Sequence, residues 1–160
     1  MIFNYGILVD VHGRRFTDEA PSSADATYEA VTRIIGEQPD GIAWLILDSR
    51  LDGIAGWQRA VRSDQPPVEA STLAALAATI EVPAAELVAT IEAYNAACPS
   101  NAVFRPEAPD GIATAPGYGP RKSNWAFPLG HGPYRAFPII CGNCFTFGGL
   151  KVDPDTRVLN

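Results

Sequence analysis

Apolar residues recur along the first half of the chain with two different periods. Tyr28, Val31, Ile34 and Ile35 share one face of a 3.6-residue repeat, and Gly36 with Pro39 supplies a stop, so the spacing predicts an amphipathic helix over 25–35. Ile42 to Leu47 has no polar alternation and lies between Gly41 and Asp48, which predicts a strand buried on both sides at the centre of a small sheet. Upstream, Gly6-Ile7-Leu8-Val9-Asp10 meets a His12-Gly13 turn and continues as Arg14-Arg15-Phe16-Thr17, the pattern of an irregular hairpin.

Two more helices follow. Ser71 or Thr72 can cap a helix over Leu73 to Ile80, and Pro83 stands where the first turn of the next helix tolerates a missing N–H. In that second helix Leu87, Ile91 and Tyr94 fall on one face, while Cys98-Pro99-Ser100 ends it. From Ser100 to Pro120 the chain turns to Pro, Gly, Ala and Asn, predicting an irregular surface loop, and long loops of this kind often carry function. Tyr134 to Ile140 and Phe145 to Phe147 have strand composition, with Pro138 expected to confine the first to an edge or a bulge. The fold class these elements imply is α+β, a small sheet packed with helices around a single core.

Composition narrows the function classes. The 160 residues are 47% hydrophobic and 19% charged, as in a folded globular domain. Twelve Lys and Arg against eighteen Asp and Glu give a net charge of -6, which repels a phosphate backbone and argues against nucleic acid as a partner. No apolar run approaches the roughly 20 residues that cross a bilayer, and the first residues do not have the pattern of a signal peptide. A cytoplasmic address is expected.

Candidate chemistry is sparse. Cys141-Gly142-Asn143-Cys144 is a C-x-x-C, but a redox pair should open a helix and here an extended Phe145-Thr146-Phe147 follows; a zinc site lacks two further ligands at suitable spacing. Free thiols and no metal are expected. Only His12 and His131 can supply an imidazole, and His131, flanked by Gly130 and Gly132, is the better placed for a cleft. Nucleophile-elbow, zincin and Walker patterns are absent, and Gly130-His131-Gly132-Pro133 lacks the third glycine of a dinucleotide loop.

Several separated segments nevertheless resemble one family. Gly6-Ile7-Leu8-Val9-Asp10 with Gly13-Arg14-Arg15-Phe16-Thr17-Asp18-Glu19, Thr72 to Ala77 with Leu87, Thr90-Ile91 and Tyr94-Asn95, Lys122-Ser123-Asn124-Trp125-Ala126, Pro133-Tyr134, and Thr146 to Asp153 occur in the order seen in the FAD-dependent fumarate reductase and succinate dehydrogenase flavoprotein superfamily. The Lys-Ser-Asn-Trp-Ala element is most similar to the tricarballylate dehydrogenase branch. The resemblance implies a cap domain over 1–147 that covers substrate, and a segment over 148–160 returning toward an FAD-binding domain of the same enzyme, with FAD held by the full-length protein and not by this fragment.

The resemblance further implies transfer of hydride from substrate to flavin N5, with the fragment alone inactive. The proton-donating Arg of fumarate reductases is missing, since the region reads Ser22-Ser23-Ala24-Asp25, and Cys144-Phe145-Thr146-Phe147 stands where a substrate-binding histidine is usual. Dehydrogenation of another small anionic substrate, a polycarboxylate such as tricarballylate, is therefore expected over fumarate reduction. A polycarboxylate calls for a guanidinium fork, which makes Arg135 the expected ligand in a cleft shared with Tyr134 and Thr146, with His131 and Lys122 near its rim and Gly148 and Gly149 toward the flavin. Arg14 and Arg15 are assigned to the hairpin, through strand pairing or a contact with Glu19. The alternative is a cap-like module that only binds or mediates assembly.

Overall fold

The computed structural model describes residues 2–61, 63, 65–142 and 149–159. In chain order the elements are β1 (Ile7–Val9), α1 (Ala24–Gly36), β2 (Ile42–Leu47), α2 (Trp57–Ala60), β3 (Val68–Ala70), α3 (Leu73–Thr79), α4 (Ala84–Ala97) and β4 (Tyr134–Ile140), with 3-10 turns at Phe3–Tyr5, Pro39–Gly41 and Ser49–Gly53. The strands form one sheet in the order β1-β2-β4-β3, every neighbouring pair antiparallel. The fold is α+β.

Strand alternation divides the core in two. Ile7, Val9, Ile46 and Ala136 point to one face and pack on Leu76, Leu87, Ile91 and Tyr94 of α3 and α4. Leu8, Ala43, Leu45, Leu47 and Phe137 point to the other and pack on Val31 and Ile35 of α1 and on Leu51. The absence of polar alternation in β2 has this cause: helices cover both faces. Each aliphatic side chain fully buried this way stabilises the fold by about 1.5–3 kcal/mol. A third, smaller cluster joins Trp125, Phe127 and Ala20, with Tyr5 and Phe104 against it.

The local chemistry explains the boundaries. The Thr72 hydroxyl accepts from Ala75 N–H and caps α3, and Pro83 occupies the N-cap position of α4. The hairpin after β1 closes through the Val9–Arg15 bridge, with Asp10 Oδ1 accepting from the His12 and Arg14 amides at 2.9 Å each and Gly13 at φ 80° in the turn. Gly6 is required by close approach, since a Cβ there would lie 2.3 Å from the Ile46 carbonyl oxygen.

Two expectations need correction or addition. β4, which carries Pro138, is an interior strand and not an edge. Its partner β3 reaches only Tyr134–Ala136, however, so at Pro138 only β2 stands alongside, paired through Trp44, and the missing N–H costs no ladder bond to β3. β3 itself is three residues long, begins immediately after Pro66-Pro67, and is not among the elements the residue pattern predicts. Residues 100–120 hold no helix or strand, as expected, but they are tied inward: Tyr5 donates its hydroxyl to Pro106 O at 2.8 Å and Trp125 Nε1 donates to Arg105 O at 2.8 Å. The expected strand at Phe145–Phe147 lies outside the described residues.

Candidate functional site

Arg135 is the best defined of the expected site residues. It lies in β4 between β2 and β3, its side chain only 10% exposed, with Nε donating to Glu69 Oε1 at 2.6 Å and NH1 to Asp52 Oδ1 at 2.8 Å. Burial works against its charge, yet the hydrogen bonds it donates to the two carboxylates hold its pKa above the ordinary value. The Trp57 ring lies 5.5 Å from the guanidinium carbon. The guanidinium is thus already served by two acids. Asp52, Trp57 and Glu69 were not singled out from sequence; the alternation Val68-Glu69-Ala70 was the one signal that could have placed Glu69 beside a strand cation.

Tyr134 and Arg135 do not share a surface. Consecutive residues of a strand point to opposite faces, and Tyr134 packs on the α3/α4 cluster while Arg135 faces Trp57 across the sheet. Lys122 is not at a rim. Its side chain is wholly buried, and Nζ donates to the carbonyls of Asn4 at 2.9 Å and Gly6 at 2.7 Å, with Glu19 Oε2 at 3.6 Å. Burial pushes its pKa down. His131 is exposed, and its carbonyl accepts from the Ser49 amide at 3.0 Å.

The structure brings Gly132 and Pro133 against β3. Glu69, Ala70, Ser71, Gly132 and Pro133 line an open groove of about 590 Å³, with the exposed His131 adjoining it in the chain. Gly132 is fitted to this approach, because a Cβ on it would lie 2.8 Å from Ser71 O. Glu69 connects groove and cation, lining the one and binding the other. Thr146 and Gly148 lie outside the described residues, as does Cys144, so the C-x-x-C is seen only at Cys141, whose exposed thiol donates to Thr32 O. Gly149 is exposed at φ 153° with nothing within 4 Å of a Cβ.

A family model described as an FAD binding domain matches residues 5–160. The chain belongs to this family. Among curated relatives of the FAD binding domain family, a 3-oxosteroid 1-dehydrogenase of Mycobacterium tuberculosis (strain ATCC 25618 / H37Rv) is 30% identical over 170 residues, covering 96% of this chain and 30% of the relative. A 4-oxocyclohexanecarboxylate 2-dehydrogenase of Sinomonas cyclohexanicum is 29% identical, covering 96% and 28%. The chain thus spans less than a third of the length of these relatives.

Solved structures agree on the fold. The open conformation of a flavocytochrome c3 fumarate reductase matches with a TM-score of 0.75 at 22% identity, over 99% of this chain and 25% of that one. The 3-ketosteroid-delta4-(5alpha)-dehydrogenase from Rhodococcus jostii RHA1, in complex with 4-androstene-3,17-dione, matches with a TM-score of 0.54 at 25% identity, over 99% and 30%. FAD is the cofactor the FAD binding domain family implies for the full-length protein. The described residues do not fit its pyrophosphate: α1, α3 and α4 are entered through Ser23, Thr72 and Pro83, and the one glycine-containing turn that opens a described helix, Gly53-Ile54-Ala55-Gly56, lacks the G-x-G-x-x-G spacing and leads into the four-residue α2. No described helix is long and apolar enough to cross a membrane.

Proposed function

We propose that this chain is the substrate-covering part of an FAD-dependent dehydrogenase that removes two hydrogens from adjacent carbons beside a carbonyl or carboxylate group. The family match over residues 5–160 carries the reading. The electron acceptor is FAD held elsewhere in the polypeptide; one hydrogen leaves the substrate as hydride and the other as a proton, leaving a carbon–carbon double bond.

A ring ketone is the preferred substrate class. Both curated relatives are named for ketone-bearing rings, and a neutral ketone asks for no free guanidinium, in keeping with Arg135 already paired to Asp52 and Glu69. His131, beside the groove of Glu69–Ser71 and Gly132-Pro133, is then the residue of this chain that meets substrate, and the family resemblance adds Thr146, Gly148 and Gly149 on the flavin side. Tyr134 supports β4 from the α4 side. Lys122 acts from the interior by fixing the Asn4 and Gly6 carbonyls. A polycarboxylate such as tricarballylate is the second reading, supported by the resemblance of residues 122–126; it requires Arg135 to exchange one of its carboxylates for the substrate's.

Anaerobic mixing of the full-length protein with a 3-oxosteroid, 4-oxocyclohexanecarboxylate or tricarballylate tests this through loss of flavin absorbance. Bleaching by a ketone, with kcat/KM unchanged in Arg135→Ala, is expected. Bleaching by tricarballylate, with kcat/KM at least about 10-fold lower in Arg135→Ala, about 1.4 kcal/mol, moves the assignment to the polycarboxylate. A full-length protein that binds no flavin removes the dehydrogenase reading altogether.

A further inference from the structure

The groove between β3 and the Gly132-Pro133 turn carries one formal charge in its wall. Of the described lining residues Glu69, Ala70, Ser71, Gly132 and Pro133, only Glu69 ionises near neutral pH. Antiparallel register sets Glu69 opposite Arg135 and Ala70 opposite Tyr134, and the 2.6 Å bond from Arg135 Nε to Oε1 fixes the carboxylate there. Half of the Glu69 side chain stays open to solvent. Asp52 accepts from the same guanidinium at 2.8 Å and is also half exposed, so one cation is shared between two carboxylates and the group keeps a surplus of one negative charge.

Neither wall of the groove is free to carry that charge away. The residues leading into Gly132 are held one after another. Asn95 Nδ2 donates to Leu129 O at 2.9 Å, and its Oδ1 accepts from the Leu129 amide at 2.7 Å. Asp48 Oδ2 accepts from the Gly130 amide at 3.2 Å, and the Ser49 amide donates to His131 O at 3.0 Å. Gly132 then passes so close to β3 that a Cβ on it would meet Ser71 O at 2.8 Å. A site preformed in this way presents the same charge to every ligand that enters.

We propose that Glu69 selects substrate by charge: fixed in the groove wall, its carboxylate turns away ring ketones that bear an anionic group and admits uncharged ones. The inference rests on reading the groove beside His131 as the place where substrate is met. A substrate carboxylate entering there finds no free cation among the lining residues, since Arg135 is already shared by Glu69 and Asp52, and it brings a like charge close to Glu69. Near a protein surface at low salt, that repulsion disfavours the anion by about 10-fold. Discrimination of this kind works by repelling the wrong ligand. An uncharged 3-oxosteroid therefore ranks ahead of 4-oxocyclohexanecarboxylate.

A matched pair of ligands tests this on the full-length protein: 4-oxocyclohexanecarboxylate and its carboxamide, which differ chiefly in charge. In the wild type, kcat/KM is expected to be about 10-fold lower for the carboxylate at low ionic strength, and the gap should narrow in about 0.5 M salt. Glu69→Gln, which keeps an acceptor for Arg135, is expected to close most of the gap, and Glu69→Asp to preserve it. An equal or higher kcat/KM for the carboxylate in the wild type at low ionic strength overturns the inference, whether or not the variants fold. A gap that survives Glu69→Gln assigns the selection to other charges and overturns it too. Where neither ketone bleaches the flavin, the dehydrogenase reading falls, and calorimetry with cyclohexanecarboxylate and cyclohexanecarboxamide makes the same comparison. Exclusion of the anion that depends on Glu69 then sustains the charge selection; equal binding, or binding of neither, overturns it.

Discussion

Arg15 grips Glu19 through two hydrogen bonds, from Nε to Oε1 at 2.9 Å and from NH2 to Oε2 at 2.6 Å, and water reaches at most 2% of either side chain. Glu19 also accepts from the Leu8 amide at 2.9 Å, and the Tyr94 and Tyr118 rings lie 5.1 and 5.6 Å from the guanidinium carbon. One carboxylate therefore offsets two interior cations, Arg15 and Lys122, and orients β1. Glu19→Ala strands both cations. It is expected to lower unfolding free energy by about 3–5 kcal/mol, read from the urea midpoint; a loss below about 1 kcal/mol would mean the surrounding carbonyls suffice.

Gly6 is pressed against β2. Gly6→Ala places a methyl group 2.3 Å from Ile46 O and 2.9 Å from Leu45 Cδ1, so β1 must move away from its partner. A loss of about 1–3 kcal/mol or more is expected, with the largest rise in hydrogen exchange at Ile7–Val9. Unchanged thermal stability would contradict the close approach.

The Thr72 cap is a smaller, local term. Its hydroxyl accepts from Ala75 N–H at 3.2 Å at an exposed position, and Thr72→Ala is expected to cost about 1 kcal/mol. Thr72→Ser should retain most of that, which separates the hydroxyl from the methyl group.

Stability should fall in alkali. Burial pushes the Cys98 thiol above its ordinary 9.0 and the Tyr5 and Tyr94 phenols above 10.0. Their stabilisation is complete below those ordinary values, and as pH rises past them the unfolded chain releases protons that the native chain keeps. Lys122 opposes the trend, because burial lowers its pKa from 10.5 and the native chain gives up that proton first. With three groups against one, urea titrations from about pH 8 to about pH 10.5 should show a net decline, and Cys98→Ala should remove its earliest part. A flat profile would mean that Lys122 cancels the rest.

Much of the scaffold was legible because it depends on local pattern. The faces of α1 and α4, the stop at Gly36, and the uninterrupted apolar run of β2 all follow from residue spacing, whereas a contact with Glu19 was only one of two roles open to Arg14 and Arg15 in the hairpin, and it is Arg15, four positions before Glu19, that makes it. Pro138 misled because a proline reports on one side of a strand only; how far β3 extends along β4 is a nonlocal fact. The site was less legible for a similar reason. Adjacent letters Tyr134 and Arg135 suggest proximity, but the pleat sends them to opposite faces, and a lysine in a polar-looking motif gives no hint that two carbonyls 116 and 118 residues away hold it in the interior.

Those long spans also order events during synthesis. Residues 120–124 fasten the first twenty residues: Arg15 donates to Pro120 O, Ser123 to Asp18, Asn124 to Ala20 O, and Lys122 to Asn4 and Gly6, across 104 to 118 positions of chain. At roughly 5–20 residues per second on the ribosome, residues 1–20 wait on the order of ten seconds for their partners to be made. Until then the carbonyls of Asn4 and Gly6 have no ammonium to meet, and β1 is held to β2 alone. A nascent chain halted before residue 120 leaves residues 1–20 unfastened, and that segment is where a cellular protease or holdase would find it.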